Sequence, residues 1–493
     1  MAVLKLSTPG VYVQEISTFP PSVAEVETAI PAFIGYTQKA LHPSKGSLTN
    51  LPTKIASYNE YKLYYGNPPT ETDDSITVSV TDDGYKNFVV SIKPIDGKPS
   101  NFNMAYAIRH YFDNGGGTCY IVSVGDPDYK AAVIDATQLV NGLKNVENID
   151  EVTLLSIPEA AVSTNYNTVT QELIKQAVNL KDRFALIDPK QVTLQDKDHP
   201  TGDIDPDVDK IREAVTGDPE SWRYAAAYYP NLNTTYARNF TDSTTNKLID
   251  IKIDEYIFQP VNASDTNAKN LALTGTVLKQ SVDSSSVLYG KIISALQQYT
   301  VTLPPSPAIA GLYARVDQNK GVWKAPANES LYSVSSPTVA ISDIQQQNLN
   351  IDSTTGKSIN AIRSFPGYGT LVWGARTLNG NDNEWRYICV RRFFNMVEES
   401  VKKSSHWAVF EPNTIGTWVK IQAMIENYLF LKWRDGALAG VKPEQAYYVH
   451  VGLGTTMNAQ DILEGRMNVE IGMAVARPAE FIVLKFSQLL QQS

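Results

Sequence analysis

Strands and helices alternate along the middle of the chain, and this alternation limits the possible folds more than any other feature of the sequence. The pattern predicts strands at Cys119–Val124, Glu151–Pro158, Arg183–Ile187 and Tyr224–Tyr229, with a helix over about 168–181. Because strands that alternate with helices pair in parallel, we expect an α/β fold in which a central, mainly parallel sheet carries helices on both faces.

Two polar stretches interrupt this pattern. Residues 67–100 carry short β patterns between aspartates, for example at Ile76–Val80, and predict a surface β insertion. Residues 231–303 are rich in Asn, Thr, Ser and Asp, with one strand-like run at Ile251–Phe258 and one helix-like run at about 286–299. We interpret both stretches as insertions on the outside of the α/β domain, and neither as a separate catalytic domain.

The C-terminal end combines two helical patterns with apolar strands near a free terminus. Helices are predicted over about 388–404 and 415–434. Apolar residues alternate from Asn468 to Val475, which predicts a strand, and a second apolar run follows at Phe481–Phe486. A strand this apolar must pair with an edge, in its own subunit or in a neighbouring one, because an open apolar edge promotes aggregation.

The apolar residues of the second predicted helix lie on one face, and its charged residues lie elsewhere. The apolar set is Trp418, Ile421, Ile425, Tyr428 and Leu429. Such a helix packs one face against a core and leaves the other for solvent or a partner.

Composition argues against several classes of protein. The net charge of −9 disfavours a nucleic-acid partner. No window approaches the roughly 18 consecutive apolar residues of a membrane span, and Pro9 and Gly10 interrupt any N-terminal signal pattern. The two cysteines, Cys119 and Cys389, lie in apolar patterns and are expected to be reduced core residues. We therefore expect a protein made in the cytoplasm with two or three domains.

Motifs that suggest chemistry are weak in this chain. The glycines of Asn114–Thr118 lie between a helix and a strand and lack a following lysine, so a phosphate-binding loop is disfavoured. Asp188 and His199 stand in the order of a subtilisin-like triad, but no serine nucleophile segment follows them, and Asp188 is also a plausible turn residue before Pro189. We expect no catalytic residue, no cofactor and no metal site.

Several segments resemble contractile tail sheath proteins, and they occur in the order of that family. They are Ser7–Glu15, Tyr111–Val122, Gly321–Asn328, Val372–Leu378, Trp385–Arg392 and Phe410–Asn413. Each match is weak alone, and the ordered set is specific. The length and the insertions are most similar to the sheath of an extracellular contractile injection system of the antifeeding-prophage or virulence-cassette type, with a myophage tail sheath next.

The resemblance implies a domain organisation. An N-terminal strand-exchange arm is expected at 1–22, and a subtilisin-like α/β sheath domain with the outer insertions at 23–340. An α+β C-terminal domain is expected at 341–493, facing an inner tube and ending in a second strand-exchange arm at about 468–493.

The resemblance also implies roles for named residues. The expected subunit-interface residues of the N-terminal arm are Val11, Tyr12, Val13 and Ile16. Those of the C-terminal arm are Phe481, Ile482, Val483, Leu484 and Phe486. The expected tube-facing residues are Lys402, Lys403, Lys420, Glu426 and Asn427.

The function implied by the resemblance is that of a structural subunit, not an enzyme. Its copies would polymerise as hexameric rings in a six-start helix around an inner tube, and contraction would drive the tube through a target envelope. Expected partners are the chain itself, the tube protein, baseplate and terminator or cap proteins, and a disassembly ATPase. Assembly is expected in the bacterial cytoplasm, within a phage tail-like particle that is later released. The alternatives are an α/β hydrolase-like enzyme with decorated loops and a static tube or pilus-like polymer.

Overall fold

The structure is a computed structural model of the chain. It describes residues 22–83, 87–95, 97–126, 128–130, 133–190, 206–241, 249, 251–258, 277–278 and 287–485. These residues form two compact units. The α/β unit comprises residues 27–396 and 477–485, and the C-terminal unit comprises residues 22–26 and 397–476.

The strands of the described residues are short, and most lie in the α/β unit. In chain order they are β1 (Pro31–Gly35), β2 (Leu41–His42), β3 (Gly46–Ser47), β4 (Thr53–Ile55), β5 (Ile76–Asp82), β6 (Phe88–Pro94), β7 (Cys119–Ser123), β8 (Leu154–Ser156), β9 (Phe184–Ile187), β10 (Ala225–Tyr229), β11 (Leu232–Ala237), β12 (Ile251–Lys252), β13 (Glu255–Phe258), β14 (Val277–Leu278), β15 (Thr300–Leu303), β16 (Glu329–Ser330), β17 (Val334–Pro337), β18 (Ile359–Phe365), β19 (Gly369–Val372), β20 (Tyr447–Val451) and β21 (Val469–Met473).

The helices alternate with these strands through the α/β unit and dominate the C-terminal unit. In chain order they are α1 (Tyr58–Tyr65), α2 (Met104–Asp113), α3 (Ala136–Asn145), α4 (Tyr166–Leu180), α5 (Pro206–Ala214), α6 (Pro219–Trp222), α7 (Val287–Gln298), α8 (Ser306–Lys320), α9 (Asp343–Asn350), α10 (Ile388–Ser404), α11 (Ile415–Arg434), α12 (Pro443–Ala446) and α13 (Ala459–Leu463).

The α/β unit is built on a nine-stranded sheet with the order β16-β19-β18-β10-β9-β8-β1-β7-β4. The six strands from β7 to β18 in this order pair in parallel. Antiparallel β4 closes one side, and antiparallel β19 and β16 close the other. The predicted parallel sheet is therefore confirmed, with antiparallel strands added at both edges.

Helices cover both faces of this sheet. Along β1, Ala32 and Ile34 pack in a core with side chains of α3, α4 and α5. Phe33 points to the other face and packs with α1, α2 and α8. Since successive side chains of a strand point to opposite faces, one fully buried strand contributes to both cores.

The two polar insertions fold together. Strand β13 pairs in parallel with β5, and β5 pairs with β6, so residues from both insertions share one three-stranded sheet. Helix α7 packs on it through Leu288 and Ile292, in a core with Val78 of β5. The predicted single strand Ile251–Phe258 is wrong in detail, because it is divided into β12 and β13.

The C-terminal unit is a small α+β body. Helix α11 buries one apolar face, and β20 pairs with β21 in an antiparallel two-stranded sheet from Tyr447↔Met473 to Val451↔Val469. The alternating strand predicted at 468–475 is thus present at Val469–Met473. Its partner β20 had not been predicted.

The domain boundary expected at residue 341 stays a prediction. In the structure, β18 and β19 follow this position and belong to the central sheet, and the division between the compact units falls between Met396 and Val397.

Candidate assembly surface

Residues 481–485 of the expected C-terminal arm are exposed, and no strand among the described residues pairs with them. Phe481, Ile482, Val483 and Leu484 have 70–78% of their surface accessible, and residues 481–485 have no regular secondary structure. Four consecutive apolar side chains in water are unfavourable by roughly 1.5–3 kcal/mol each relative to burial. This segment is therefore the strongest candidate for contact with another molecule. Phe486 lies outside the described residues, as do Val11, Tyr12, Val13 and Ile16.

The hairpin of β20 and β21 offers strand edges. Among the described residues, neither strand has a second strand partner. The Val449 carbonyl on the outer edge of β20 accepts a hydrogen bond of 3.1 Å from the Gln422 side chain of α11, so the outer edge of β21 is the more open of the two. A two-stranded sheet alone is marginally stable in water. It is therefore suited to accept further strands from another molecule.

The predicted apolar face of α11 is confirmed. Trp418, Ile421, Ile425 and Leu429 are buried, as is Tyr428. Lys420 and Asn427 are exposed and lie seven residues apart, which places them on one outer face. Glu426 is half-buried and accepts a hydrogen bond of 2.8 Å from the Gln422 side chain, and its contact with a tube stays a prediction.

The other two predicted tube-facing lysines lie in the last turn of α10. Lys402 and Lys403 both form ion pairs with Glu399, at 3.1 Å and 3.4 Å. The shared carboxylate holds two positive charges in one place near the helix C-terminus, where they also interact favourably with the helix dipole. The structure thus groups Lys402 with Lys403, and separately Lys420 with Asn427.

The loop between α10 and α11 exposes apolar side chains to which the sequence analysis assigned no contact. Phe410 is fully exposed with a left-handed backbone, φ +68°, while Val409 before it and Ile415 at the start of α11 are 58% and 70% exposed. The loop is held by Asn413, which donates to the Arg466 carbonyl at 3.0 Å and accepts from the Trp418 indole at 2.6 Å. The segment Phe410–Asn413 had been noted only for its family resemblance.

Two buried carboxylates lie near the carboxyl ends of the central strands. Asp188 accepts hydrogen bonds from the Ser306 backbone N–H at 2.7 Å and from its hydroxyl at 2.5 Å. Burial raises the pKa of Asp188 to about 7, although both bonds oppose the rise. The Asp188 carboxylate therefore accepts hydrogen bonds from the first residue of α8, and Asp188 is not the turn residue that its place before Pro189 suggested. His199 lies outside the described residues.

The second buried carboxylate, Glu159, joins β1 to α2. It accepts from the backbone N–H groups of Tyr36 at 2.7 Å, Asn103 at 3.0 Å and Met104 at 3.2 Å. Burial raises the pKa of Glu159 to about 8, against these three bonds. Both carboxylates thus accept hydrogen bonds from backbone N–H groups at helix N-termini.

In the described part of the chain, no three His, Cys, Asp or Glu side chains are grouped to hold a metal ion, and no helix is long and apolar enough to cross a membrane.

Comparison with known proteins identifies the family. The model of the phage tail sheath C-terminal domain matches residues 380–488. The helical sheath of the anti-feeding prophage in its contracted state is 30% identical, with a TM-score of 0.61, over 98% of this chain and 99% of that chain. The chain belongs to the tail sheath protein family. This confirms the resemblance found in the ordered sequence segments, and the α/β fold with it.

Other relatives of this sheath subunit match to different extents. The sheath of the extracellular contractile injection system PVC, also contracted, is 29% identical with a TM-score of 0.62, over 98% of each chain. The tail sheath protein of Enterobacteria phage T4 is 27% identical over 186 residues, which span 37% of this chain and only 27% of the T4 protein. The similarity is therefore nearly complete for injection-system sheaths and partial for the phage protein.

Proposed function

We propose that this sheath subunit polymerises around an inner tube and that the sheath contracts to drive the tube through a target envelope. The observation that carries the proposal is the similarity, over 98% of the chain, to two sheaths in a contracted state. A contracted state implies an extended one, so the same subunit must fit two lattices.

Polymerisation would use strand exchange between subunits. The exposed segment Phe481–Leu484 is apolar, and within the described residues the sheet of β20 and β21 has an open outer edge at β21. A strand added to such an edge forms several backbone hydrogen bonds, each worth about 1 kcal/mol net. Its apolar side chains leave water at the same time, so the arms would link subunits while their domains move as rigid bodies.

The tube would be contacted by the polar faces of α10 and α11. Lys420 and Asn427 share an exposed face of α11, and Lys402 and Lys403 form a separate basic pair on α10. Exposed charges recognise a partner of opposite charge and determine its register more than they add affinity. An acidic tube surface fits these lysines.

Contraction in this proposal needs no catalytic site in the subunit. The buried carboxylates Asp188 and Glu159 are used by helix N-termini. The energy would come from repacking between subunits as the lattice shortens and widens. We therefore infer a structural protein and not an enzyme.

The further partners are the baseplate, a terminator or cap protein, and a disassembly ATPase. A chain in the anti-feeding prophage baseplate structure is 30% identical over 98% of this chain, which supports the baseplate contact. We infer assembly in the bacterial cytoplasm and release as an extracellular phage tail-like particle.

Electron microscopy of assemblies tests the proposal. Wild-type protein mixed with tube should form sheaths of two diameters, and a variant that lacks residues 481–493 should remain as small folded species. Tubes with one diameter under all conditions would indicate a static polymer. Full-length tubes from the truncated chain would exclude strand exchange by the C-terminal arm.

A further inference from the structure

The C-terminal arm leaves one unit and attaches to the other. Up to Ala476 the chain belongs to the C-terminal unit, where the Ala476 N–H donates to the Ala437 carbonyl at 2.9 Å. Residues 477–485 belong to the α/β unit. Four residues beyond Ala476, Glu480 is bound by side chains of that unit.

Glu480 is bound in a buried clamp. The Arg376 guanidinium donates from Nε to Oε1 at 2.9 Å and from Nη2 to Oε2 at 2.6 Å, and its side chain is only 3% exposed. The Asn350 amide donates to Oε1 at 3.0 Å, and the Tyr387 hydroxyl donates to Oε2 at 3.3 Å. Partial burial would raise the pKa of Glu480, but the bonds from Arg376 and Asn350 outweigh it and lower the pKa.

The clamp is also rigid on the arginine side. Arg376 Nη1 donates to the carbonyls of Asn350 and Gly380, each at 3.2 Å. A bidentate arginine–carboxylate pair fixes orientation as well as distance. The apolar segment Phe481–Leu484 therefore starts from a fixed point on the α/β unit.

The N-terminal segment is held by the C-terminal unit instead. The backbone N–H groups of Ala24 and Val26 donate to the hydroxyls of Ser404 and Ser400, each at 3.1 Å. Glu25, between them, forms an ion pair with Lys432. The two serines are four residues apart and share one face of α10, so an extended chain that bonds at every second residue lies along this face.

We propose that the two arms are rooted on different units of the subunit, with Arg376 as the positioning residue that fastens the C-terminal arm to the α/β unit. This inference rests on the proposed function, in which both arms bind neighbouring subunits. A neighbour joined through the C-terminal arm is then tied to the α/β unit, and one joined through the N-terminal arm is tied to the C-terminal unit. When the two units of a subunit move, the neighbour bound by the C-terminal arm moves with the α/β unit, and the neighbour bound by the N-terminal arm moves with the C-terminal unit.

Spin labels at the two arm roots test this in the unassembled full chain. Both natural cysteines are buried, so a nitroxide reacts selectively with a cysteine introduced at Ser22 or at Ala479, both of which are exposed. We expect Glu480→Gln to remove the immobilised component from the electron paramagnetic resonance spectrum of the label at 479. The spectrum of the label at 22 should stay unchanged. The double change Ser400→Ala with Ser404→Ala should have the opposite pattern.

A matched control separates the clamp from a general loss of charge. Glu470, on β21, is exposed and accepts only a hydroxyl bond from Tyr448 among its side-chain hydrogen bonds in the described chain, at 2.9 Å, so Glu470→Gln should change neither label. Glu480 is a better target than Arg376, because Arg376 also bonds two backbone carbonyls. If Glu480→Gln does not fold, Tyr387→Phe removes one bond to the same carboxylate and should loosen the label at 479 in the same direction.

Assembly supplies a second measurement. A loose root lowers the effective concentration of the arm at its neighbour, so Glu480→Gln should raise the protein concentration needed for polymerisation. A label at 479 that stays immobilised in Glu480→Gln, or a loosening of both labels together, would overturn the proposal. Failure of the wild-type chain to form sheaths would refute the proposed function and leave the spin-label result intact.

Discussion

The α/β unit and the C-terminal unit differ in how they cover their apolar residues. In the α/β unit, parallel strands carry helices on both faces, and Phe33 and Ile34 of β1 are fully buried. In the C-terminal unit, the two-stranded sheet has an open edge at β21 among the described residues, and large apolar side chains are exposed along the chain. They include Val409, Phe410, Ile415, Val419, Val441, Leu453 and Leu463. The central sheet of the first unit is covered by its own helices, whereas the two-stranded sheet of the second unit leaves a strand edge that a neighbouring subunit can cover.

One buried ion pair of the α/β unit can be compared with an exposed lysine pair of the C-terminal unit. Arg392 of the α/β unit is 3% exposed and donates to both oxygens of Asp317, at 3.0 Å and 2.5 Å. In the C-terminal unit, Lys402 is 66% exposed and pairs with Glu399. Removal of one partner from a buried pair leaves an uncompensated charge, while an exposed pair contributes little.

The largest expected effect is on the stability of the α/β unit. Asp317→Asn should lower the free energy of unfolding by about 3–5 kcal/mol, because Arg392 keeps its charge in a buried site. Urea unfolding of the unassembled subunit measures the change. The control Glu464→Gln breaks an exposed pair with Arg466 in the C-terminal unit and should cost less than about 1 kcal/mol. Equal effects from the two variants would remove the contrast in buried charge.

The next effect is a change in pH dependence. Because the pKa of Glu159 is raised in the folded state, folding binds a proton at intermediate pH, and this group's contribution to stability falls as pH rises from about 4.3 to about 8. Glu159→Gln should remove that slope and also cost about 1–3 kcal/mol, since the amide N–H₂ would meet a backbone donor.

Unfolding curves at several pH values measure both effects. Exposed Glu147→Gln is the control and should leave the curve unchanged. A profile for Glu159→Gln that keeps the wild-type slope would show that Glu159 does not titrate as described.

A smaller effect on folding, with a large effect on assembly, is expected at the apolar loop of the C-terminal unit. Phe410→Asn should change stability by at most about 0.5 kcal/mol, because the side chain is fully exposed and asparagine tolerates the left-handed backbone. Sedimentation should show weaker polymerisation. Tyr368→Asn, at an exposed position of the α/β unit, should polymerise normally. Normal assembly of both variants would mean that the loop faces solvent in the sheath.

The smallest effect on stability is expected at the predicted tube-facing lysines. Lys420→Glu, with Lys402 and Lys403 changed to glutamine so that no negative charge is added beside Glu399, should change stability by at most about 0.5 kcal/mol at each site. Because each subunit carries the change, empty or already contracted sheaths should become commoner in micrographs. The control is Lys144→Glu with Lys45→Gln and Lys93→Gln, at exposed positions of the α/β unit. Filled, extended particles at normal yield would place the tube contact elsewhere.

The sequence predicts those parts of this fold that depend on local pattern. The apolar run at Phe184–Ile187 predicts a buried strand, and the spacing of the apolar residues in α11 predicts its buried face. Strand β18 was missed because it pairs with β10, whose residue Ala227 lies 132 positions before its partner Ile359. Nothing local marks such a pairing, and polar Asn360 and Arg363 weaken its apolar pattern.

The assembly surface could be predicted only in part for the same reason. The apolar run after Pro478 marked the C-terminal arm, but its clamp joins Glu480 to Arg376 over 104 positions. The loop that carries exposed Phe410 is likewise bonded over a distance, since Asn413 donates to the Arg466 carbonyl 53 positions later. Helix α3 is a different case, because Asp135 at its N-cap and the apolar spacing of Leu139 and Leu143 were a usable signal that was overlooked.

The most direct test of the central contrast is a cryo-electron microscopy structure of the assembled sheath. We expect residues 481–486 of one subunit to form a strand on the β20–β21 sheet of a neighbour, while the α/β unit keeps its nine-stranded sheet. An arm packed along its own chain, with no strand of a neighbour added to that sheet in the polymer, would contradict the account.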